Sequence, residues 1–213
     1  IDHIDRANEQ AANSLLKTLE EPPCYLVIVM TAENAYDLLP TIRSRSVQFQ
    51  LAPLGGEEMR EFAAAKGLTD PERRIALAGG SPGRASSIDL ETYDRQRAAM
   101  LRLIETGAGS APFGDWAKVA EALAARRTEK LDQYLKVLYI LLEDLLLAQN
   151  ARPEIRNRDI EGKLRSLAAK VGFEWIREAV KTADELMELV RRNIQKSIAL
   201  DALTIEMRRN LPA

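Results

Sequence analysis

The sequence predicts a mainly α-helical chain with a small α/β portion at its N-terminal end. Three observations lead there. Only two runs read as strands, Tyr25–Met30 and Val47–Leu51, and both precede residue 54. After Pro53-Leu54-Gly55-Gly56 the apolar residues recur at helical spacing almost to the end. Hydrophobic residues make up 46% of the chain but aromatic ones only 5%, so Leu, Ala, Ile and Val must supply the core.

Each element has its own signal. Asn8 is placed to cap a helix near residues 8–20, where Ala7, just before it, and Ala11, Leu15, Leu16 and Leu19 recur at helical spacing. Pro22-Pro23 ends it, because proline cannot continue the helical hydrogen bonding. Tyr25-Leu26-Val27-Ile28-Val29-Met30 is short and continuously apolar, the pattern of a strand covered on both faces, as in a parallel sheet. Pro40 suits the first turn of a short helix carrying Arg43 and Arg45. Val47-Gln48-Phe49-Gln50-Leu51 alternates apolar and polar, as a strand with one covered face does.

Pro53-Leu54-Gly55-Gly56 marks a boundary. Glu57–Lys66 reads as a helix carrying Met59, Phe62 and Ala63. Asp70-Pro71 opens a second helix through Ala78, terminated by Gly79-Gly80. Ser81-Pro82-Gly83 opens a third element at Arg84, and a fourth spans about Leu90–Glu105. These make a small helical domain over residues 55–106. Gly107-Ala108-Gly109-Ser110-Ala111-Pro112 is the second boundary. Beyond it, residues 107–213 hold five helices. In Leu131–Gln149 the stripe of Leu131, Leu135, Leu138, Leu142 and Leu145 is widened by Leu141 and Leu146, so that helix is largely buried. Trp175–Val190 and Ile198–Leu211 supply two more.

Composition excludes several classes. Thirty Lys and Arg against 32 Asp and Glu give a net charge of -2, with no basic excess for autonomous nucleic-acid binding. No apolar run is long enough for a membrane span, and no secretory signal is visible. Cys24 is the single cysteine, which rules out a disulfide within the chain and a Cys-rich zinc site, and fits a reducing cytosol. It is expected as a small buried or half-buried thiol. His3 is the single histidine, and no nucleophile motif accompanies it.

The chemistry-bearing residues occur in a fixed order. Ile1-Asp2-His3-Ile4-Asp5 puts an acid directly after an apolar residue. Asn13-Ser14-Leu15-Leu16-Lys17-Thr18-Leu19-Glu20-Glu21-Pro22-Pro23 follows, then the apolar run closed by Thr31, then Leu39-Pro40-Thr41-Ile42-Arg43-Ser44-Arg45-Ser46. This order of acid, helix, buried strand, polar residue and paired Arg resembles the second half of a clamp-loader AAA+ ATPase domain, with the delta-prime type of bacterial DNA polymerase III the nearest likeness. The resemblance is strong over residues 1–54, moderate over 55–106 and weak over 107–213.

The resemblance implies a fold and a set of roles. Residues 1–54 are expected to be the later half of the α/β ATPase domain, 55–106 a helical lid and 107–213 a helical collar that holds subunits in a ring. The chain is expected to begin inside a motif and to lack the half that grips phosphate. Asp2 matches the acid that holds the Mg²⁺ of the nucleotide; read alone, it ends a strand or caps a turn. The residue after that acid is commonly Glu, which polarises the attacking water. Here it is His3, and an imidazole is no substitute for that carboxylate, so loss of hydrolysis is expected. Thr31 matches the polar sensor of the γ-phosphate, and otherwise is a loop residue at a strand end. Arg84 resembles the lid arginine that reaches back to nucleotide. Gly79-Gly80-Ser81-Pro82-Gly83-Arg84 has no Lys and no preceding strand, so it is not a phosphate loop.

Ser44-Arg45-Ser46 is similar to the Ser-Arg-Cys motif of clamp loaders, with Ser46 replacing Cys. It implies that Arg45 is an arginine finger, projecting into the nucleotide site of a neighbouring subunit. Guanidinium suits this because it is always charged and grips phosphate oxygens in pairs. Arg43 is the competing candidate. Lys17, Glu20 and Glu21 read as a solvated helix face, as do Arg191-Arg192, Lys196 and Arg208-Arg209 among nearby acids. The implied protein is a non-motor clamp-loader subunit, not an enzyme by itself, with no cofactor in these residues. Its implied partners are the other loader subunits, held through residues 113–213, and, through the complex, the sliding clamp and primed DNA. The implied location is cytoplasmic. A gamma/tau-type ATPase motor of the same machine is the alternative.

Overall fold

A computed structural model describes residues 1–125, 129–190 and 195–211. The chain divides into two compact units, Ile1–Ala52 and Pro53–Ala213. The expected mainly helical character is borne out: eleven α-helices and no strands occur among the described residues.

In the first unit, helix α1 (Glu9–Glu20) starts where Asn8 Oδ1 accepts from the Ala11 N–H at 2.8 Å, satisfying one of the orphan donors of the first turn. It stops before Pro22-Pro23, as expected. Helix α2 (Pro40–Arg43) is a single turn with Pro40 in its first position. Ile4, Ala12 and Ile42 are the buried apolar residues of this unit.

The two expected strands are not formed. Tyr25, Val27, Val47, Phe49 and Leu51 are each more than four-fifths exposed, and Val29 is 70% exposed. A strand exists through the ladder its neighbours complete, and propensity alone does not hold one. One residue of such a ladder is present. The Ile1 amino group donates to Val29 O at 2.7 Å, and Thr31 N–H donates to Ile1 O at 2.9 Å. That places Ile1 beside Met30 in the alternating pattern of a parallel pair. The regular pattern stops there, because His3 turns into the left-handed region at φ 52°, so that Ile4 N–H rather than His3 N–H donates to Thr31 O, at 2.9 Å, and Ile4–Arg6 coils into a 3₁₀ turn. Cys24 is exposed rather than buried, since the segment after Pro23 packs against no layer.

In the second unit, α3 (Gly56–Ala65), α4 (Pro71–Ala78) and α5 (Pro82–Ser87) enclose a small core of Met59, Ala78 and Ala85, flanked by Leu54, Leu68 and Ile75. Leu54 N–H donates to Gly80 O at 2.8 Å, tying the entering chain to the α4–α5 turn. Arg74 donates to Ala85 O and Ile88 O at 3.0 and 2.7 Å, which satisfies carbonyls at the end of α5.

The larger core belongs to α6 (Leu90–Gly107), α7 (Phe113–Ala125), α8 (Leu131–Gln149), α9 (Glu161–Ala168), α10 (Phe173–Val190) and α11 (Lys196–Arg209). Helix α8 lies at its centre, packed on α6, α9 and α10, with Leu135, Leu138, Leu141 and Leu145 fully buried. Helix α6 packs on α7, α8 and α11, so the Gly107–Pro112 turn joins two helices of one bundle. Trp116 and Trp175 are buried in that core, and each indole N–H finds an acceptor, Asp201 Oδ1 and Met207 O respectively. No described helix is long and apolar enough to cross a membrane.

Candidate functional site

Four positions were singled out by sequence: Asp2, Thr31, Arg45 and Arg84. The structure brings the first two together. Thr31 Oγ1 donates to Asp2 Oδ1 at 3.1 Å and accepts from His3 N–H at 3.1 Å. This closes across 29 residues because Ile1 and Met30 pair side by side, which leaves Asp2 and Thr31 as the next residues of each segment. The left-handed conformation of His3, unfavourable for a residue with a Cβ, aims its N–H at the Thr31 hydroxyl. Beside this pair, Arg6 Nη2 bonds Glu33 Oε1 at 2.8 Å, and His3 Nδ1 lies 4.0 Å from the same oxygen. A carboxylate with a hydroxyl bonded to it at adjacent strand-like ends can together face a hydrated cation. His3 adds an exposed imidazole, not an acid.

Between Ile4, Asp5, Ala12, Asp37, Leu39 and Ile42 runs a cleft of about 130 Å³. Drug-sized ligands occupy pockets of roughly 300–1,000 Å³, so this cleft cannot enclose a nucleotide.

Arg45 lies two residues past the end of the helix expected to carry it. Helix α2 ends at Arg43, and Arg45 N–H closes a further turn onto Ile42 O at 3.1 Å. Its Nη1 donates to Thr41 O at 3.0 Å and reaches Ser44 Oγ at 3.4 Å. Its Nη2 pairs with Glu20 Oε1 at 2.7 Å. These contacts do not include Asp2 or Thr31. Arg43 has a different fate: its guanidinium carbon lies over the Tyr36 ring, 5.2 Å from its centre, a cation–π contact. In the second unit, Arg84 is exposed on α5, with its backbone N–H capped by Ser81 Oγ at 3.3 Å.

Glu20, Glu33 and Tyr36 were not recognised from sequence. For Glu20 a signal existed: it is an acid in the last turn of a helix, the end where helix electrostatics disfavour one. Glu33 and Tyr36 carried none, because their roles depend on which arginine folds against them. Of the basic residues read as a solvated face, Arg208 and Arg209 are exposed, and Arg209 pairs with Glu206 at 3.4 Å. Arg191-Arg192 and the Lys196 side chain lie outside the described residues.

Residues 1–55 match the sequence model of a family described as "DNA polymerase III, delta subunit". The chain is 31% identical over 163 residues to the DNA polymerase III subunit delta' of Escherichia coli, covering 75% of this chain and 47% of that protein. It is 37% identical over 106 residues to the DNA polymerase III subunit delta' of Pseudomonas aeruginosa, covering 47% of this chain and 32% of that one. A shorter match, 38% over 60 residues, joins it to the DNA polymerase III subunit tau of Salmonella typhimurium and covers 28% of the chain and 9% of that protein. The chain thus spans half or less of the length of the curated relatives it matches.

Proposed function

From a chain of the delta-prime clamp-loader type, we infer a non-motor subunit of the DNA polymerase III clamp loader, one that helps place the sliding clamp on primed DNA and lends Arg45 to the nucleotide site of a neighbouring ATPase subunit. The observation that carries the finger role is the contrast between two arginines in one turn. Arg43 is committed to Tyr36 within its own unit. Arg45 follows a proline-started turn and is held by Thr41 O and by an ion pair with Glu20 that is open to solvent on both sides. A planar guanidinium in that position can meet phosphate oxygens in pairs. Asp2 and Thr31 stand as relic positions of a nucleotide site, because the residue after Asp2 is His3, which cannot hold an attacking water as a carboxylate does. Arg84, exposed and with its backbone N–H capped by Ser81, is a relic of the same kind.

The helical bundle supplies the anchor. Its interior is extensive and aliphatic, and α11 leaves Ile198 and Ile205 exposed two turns apart, a face suited to a neighbouring helix. A fragment of residues 53–213, which keeps α6 with the rest of the bundle, should therefore still co-purify with the other loader subunits. Loss of the complex with the bundle still folded would move the main interface elsewhere.

The finger is tested in the full-length protein within the reconstituted loader, by steady-state ATP hydrolysis with primed DNA and clamp. Arg45→Ala should leave assembly intact while the site it faces loses roughly 10³–10⁵-fold in rate. Arg45→Lys should rescue poorly, since an ammonium keeps the charge and loses the planar fork. Arg43→Ala should do less harm. Wild-type rates with Arg45→Ala, or a larger loss from Arg43→Ala, take the role away from Arg45. The motor reading draws on the tau match. It predicts that the full-length protein hydrolyses ATP unaided, whereas the non-motor reading predicts no such activity.

A further inference from the structure

Glu20 sits where helix electrostatics disfavour it. It is the last residue of α1, at the end that carries about half a negative charge. Pro22-Pro23 prevents the helix from running on, so the carboxylate stays there. What offsets the misplacement is Arg45, whose Nη2 lies 2.7 Å from Glu20 Oε1. The other terminal nitrogen, Nη1, donates to Thr41 O at 3.0 Å. Both terminal nitrogens of the guanidinium thus have partners inside the same unit, while paired recognition of a phosphate needs two of these N–H groups.

We propose that Glu20 is the parking partner of Arg45: it holds the guanidinium while no phosphate is presented, and a neighbour's nucleotide must displace it. This rests on the finger reading of Arg45. A carboxylate and a phosphate repel at such range, so a phosphate gripped through Nη2 competes with Glu20 for the guanidinium. The contact is built to be exchanged. The Arg45 side chain is 35% exposed and that of Glu20 is 52% exposed. Pairs so placed shift an equilibrium by only about one- to five-fold. The latch therefore sets a threshold for engagement and does not block it.

The test uses the full-length protein in the reconstituted loader, with ATP hydrolysis measured on primed DNA and clamp as ATP is varied. Glu20→Gln keeps the shape and removes the charge at an exposed site, so folding is spared. It should raise the stimulated rate, or lower the ATP concentration giving half the maximal rate, by about two- to five-fold. In an Arg45→Ala background the same substitution should change nothing. If Arg45→Ala alone matches wild type, the finger reading fails first. If Arg45→Ala is slow but Glu20→Gln is neutral or slower, or acts equally with and without Arg45, the parking role is refuted and the finger stands.

Discussion

Asp144 offers the sharpest test of how the bundle is held. It lies on α8 and is wholly buried. Its Oδ1 accepts from Arg156 N–H at 2.8 Å, and its Oδ2 from Asn157 N–H and Asn157 Nδ2 at 3.0 and 2.7 Å. Asn157, itself 1% exposed, passes the connection on: its Oδ1 accepts from Tyr93 Oη at 2.9 Å and Arg97 Nη1 at 3.0 Å. Asp144→Ala strands three donors around an empty space. Each buried donor left unpaired costs about 1–3 kcal/mol, and one of the three, on Arg156, is only part-buried. The expected loss is about 3–5 kcal/mol, the range for removing one partner from a buried charged network. Trp116 and Trp175, the only tryptophans, both lie in this core, so their fluorescence reports the bundle alone. With a urea slope of roughly 2–3 kcal/mol/M, the midpoint should fall by about 1–2 M. Asp144→Asn keeps one carbonyl acceptor and should fall between wild type and Ala. A midpoint within about 0.5 M of wild type for Asp144→Ala, at unchanged slope, would show that the network contributes little.

Two further outcomes follow from the same geometry. Burial pushes the Tyr93 hydroxyl up to about 12, against the lowering effect of its hydrogen bond to Asn157. The neutral phenol is therefore favoured by folding; stability is full below pH 10, where the unfolded chain also keeps its proton, and declines as pH rises from 10 to about 12. At pH 11 that loss is on the order of 1 kcal/mol, and Tyr93→Phe should flatten this part of the decline in urea melts at pH 8 and 11. Tyr139, raised further by burial and by Asp184, keeps its own share. At Gly80, φ is +80°, and an added Cβ would stand 2.6 Å from Pro53 Cβ and 2.8 Å from Leu54 O. Gly80→Ala should destabilise the α3–α5 group by about 2 kcal/mol or more, seen as faster amide exchange there with the tryptophan-monitored bundle unchanged; equal protection would mean the turn gives way easily.

Helices were legible in the sequence because their signals are local. The Asn8 cap, Pro71 in a first turn, the Gly79 stop at φ 58° and the limits of Leu131–Gln149 each follow from a few neighbouring residues. The strands were misjudged for the opposite reason: Tyr25–Met30 has the composition of a strand, but only a flanking ladder makes it one. The Gly107–Pro112 turn was legible as a turn and not as a join within one bundle, because periodicity shows that α6 has an apolar face but not what the face meets. In the candidate site, Asp2, Thr31 and Arg45 were readable as residue types in order. That Thr31 bonds Asp2, or that Arg45 bonds Glu20, depends on approaches across 29 and 25 residues, which spacing does not encode.

The same network that fixes the bundle also bounds how firmly α3–α5 is attached to it. Arg73 of α4 pairs with Asp94 of α6; Asp94 is shared with Arg97 at 3.0 Å, and Arg97 reaches Asp159 at 2.7 Å. The outer members of this relay are open to solvent, with Asp94 40% and Asp159 46% exposed. Such pairs contribute about 0–1 kcal/mol each. Apart from them, Leu77 is the residue of α4 that enters the larger core. Relay and core thus differ in kind: the inner end, at Asn157 and Asp144, is dry and costly to disturb, while the outer end, at Arg73 and Asp94, can be exchanged with water at little cost.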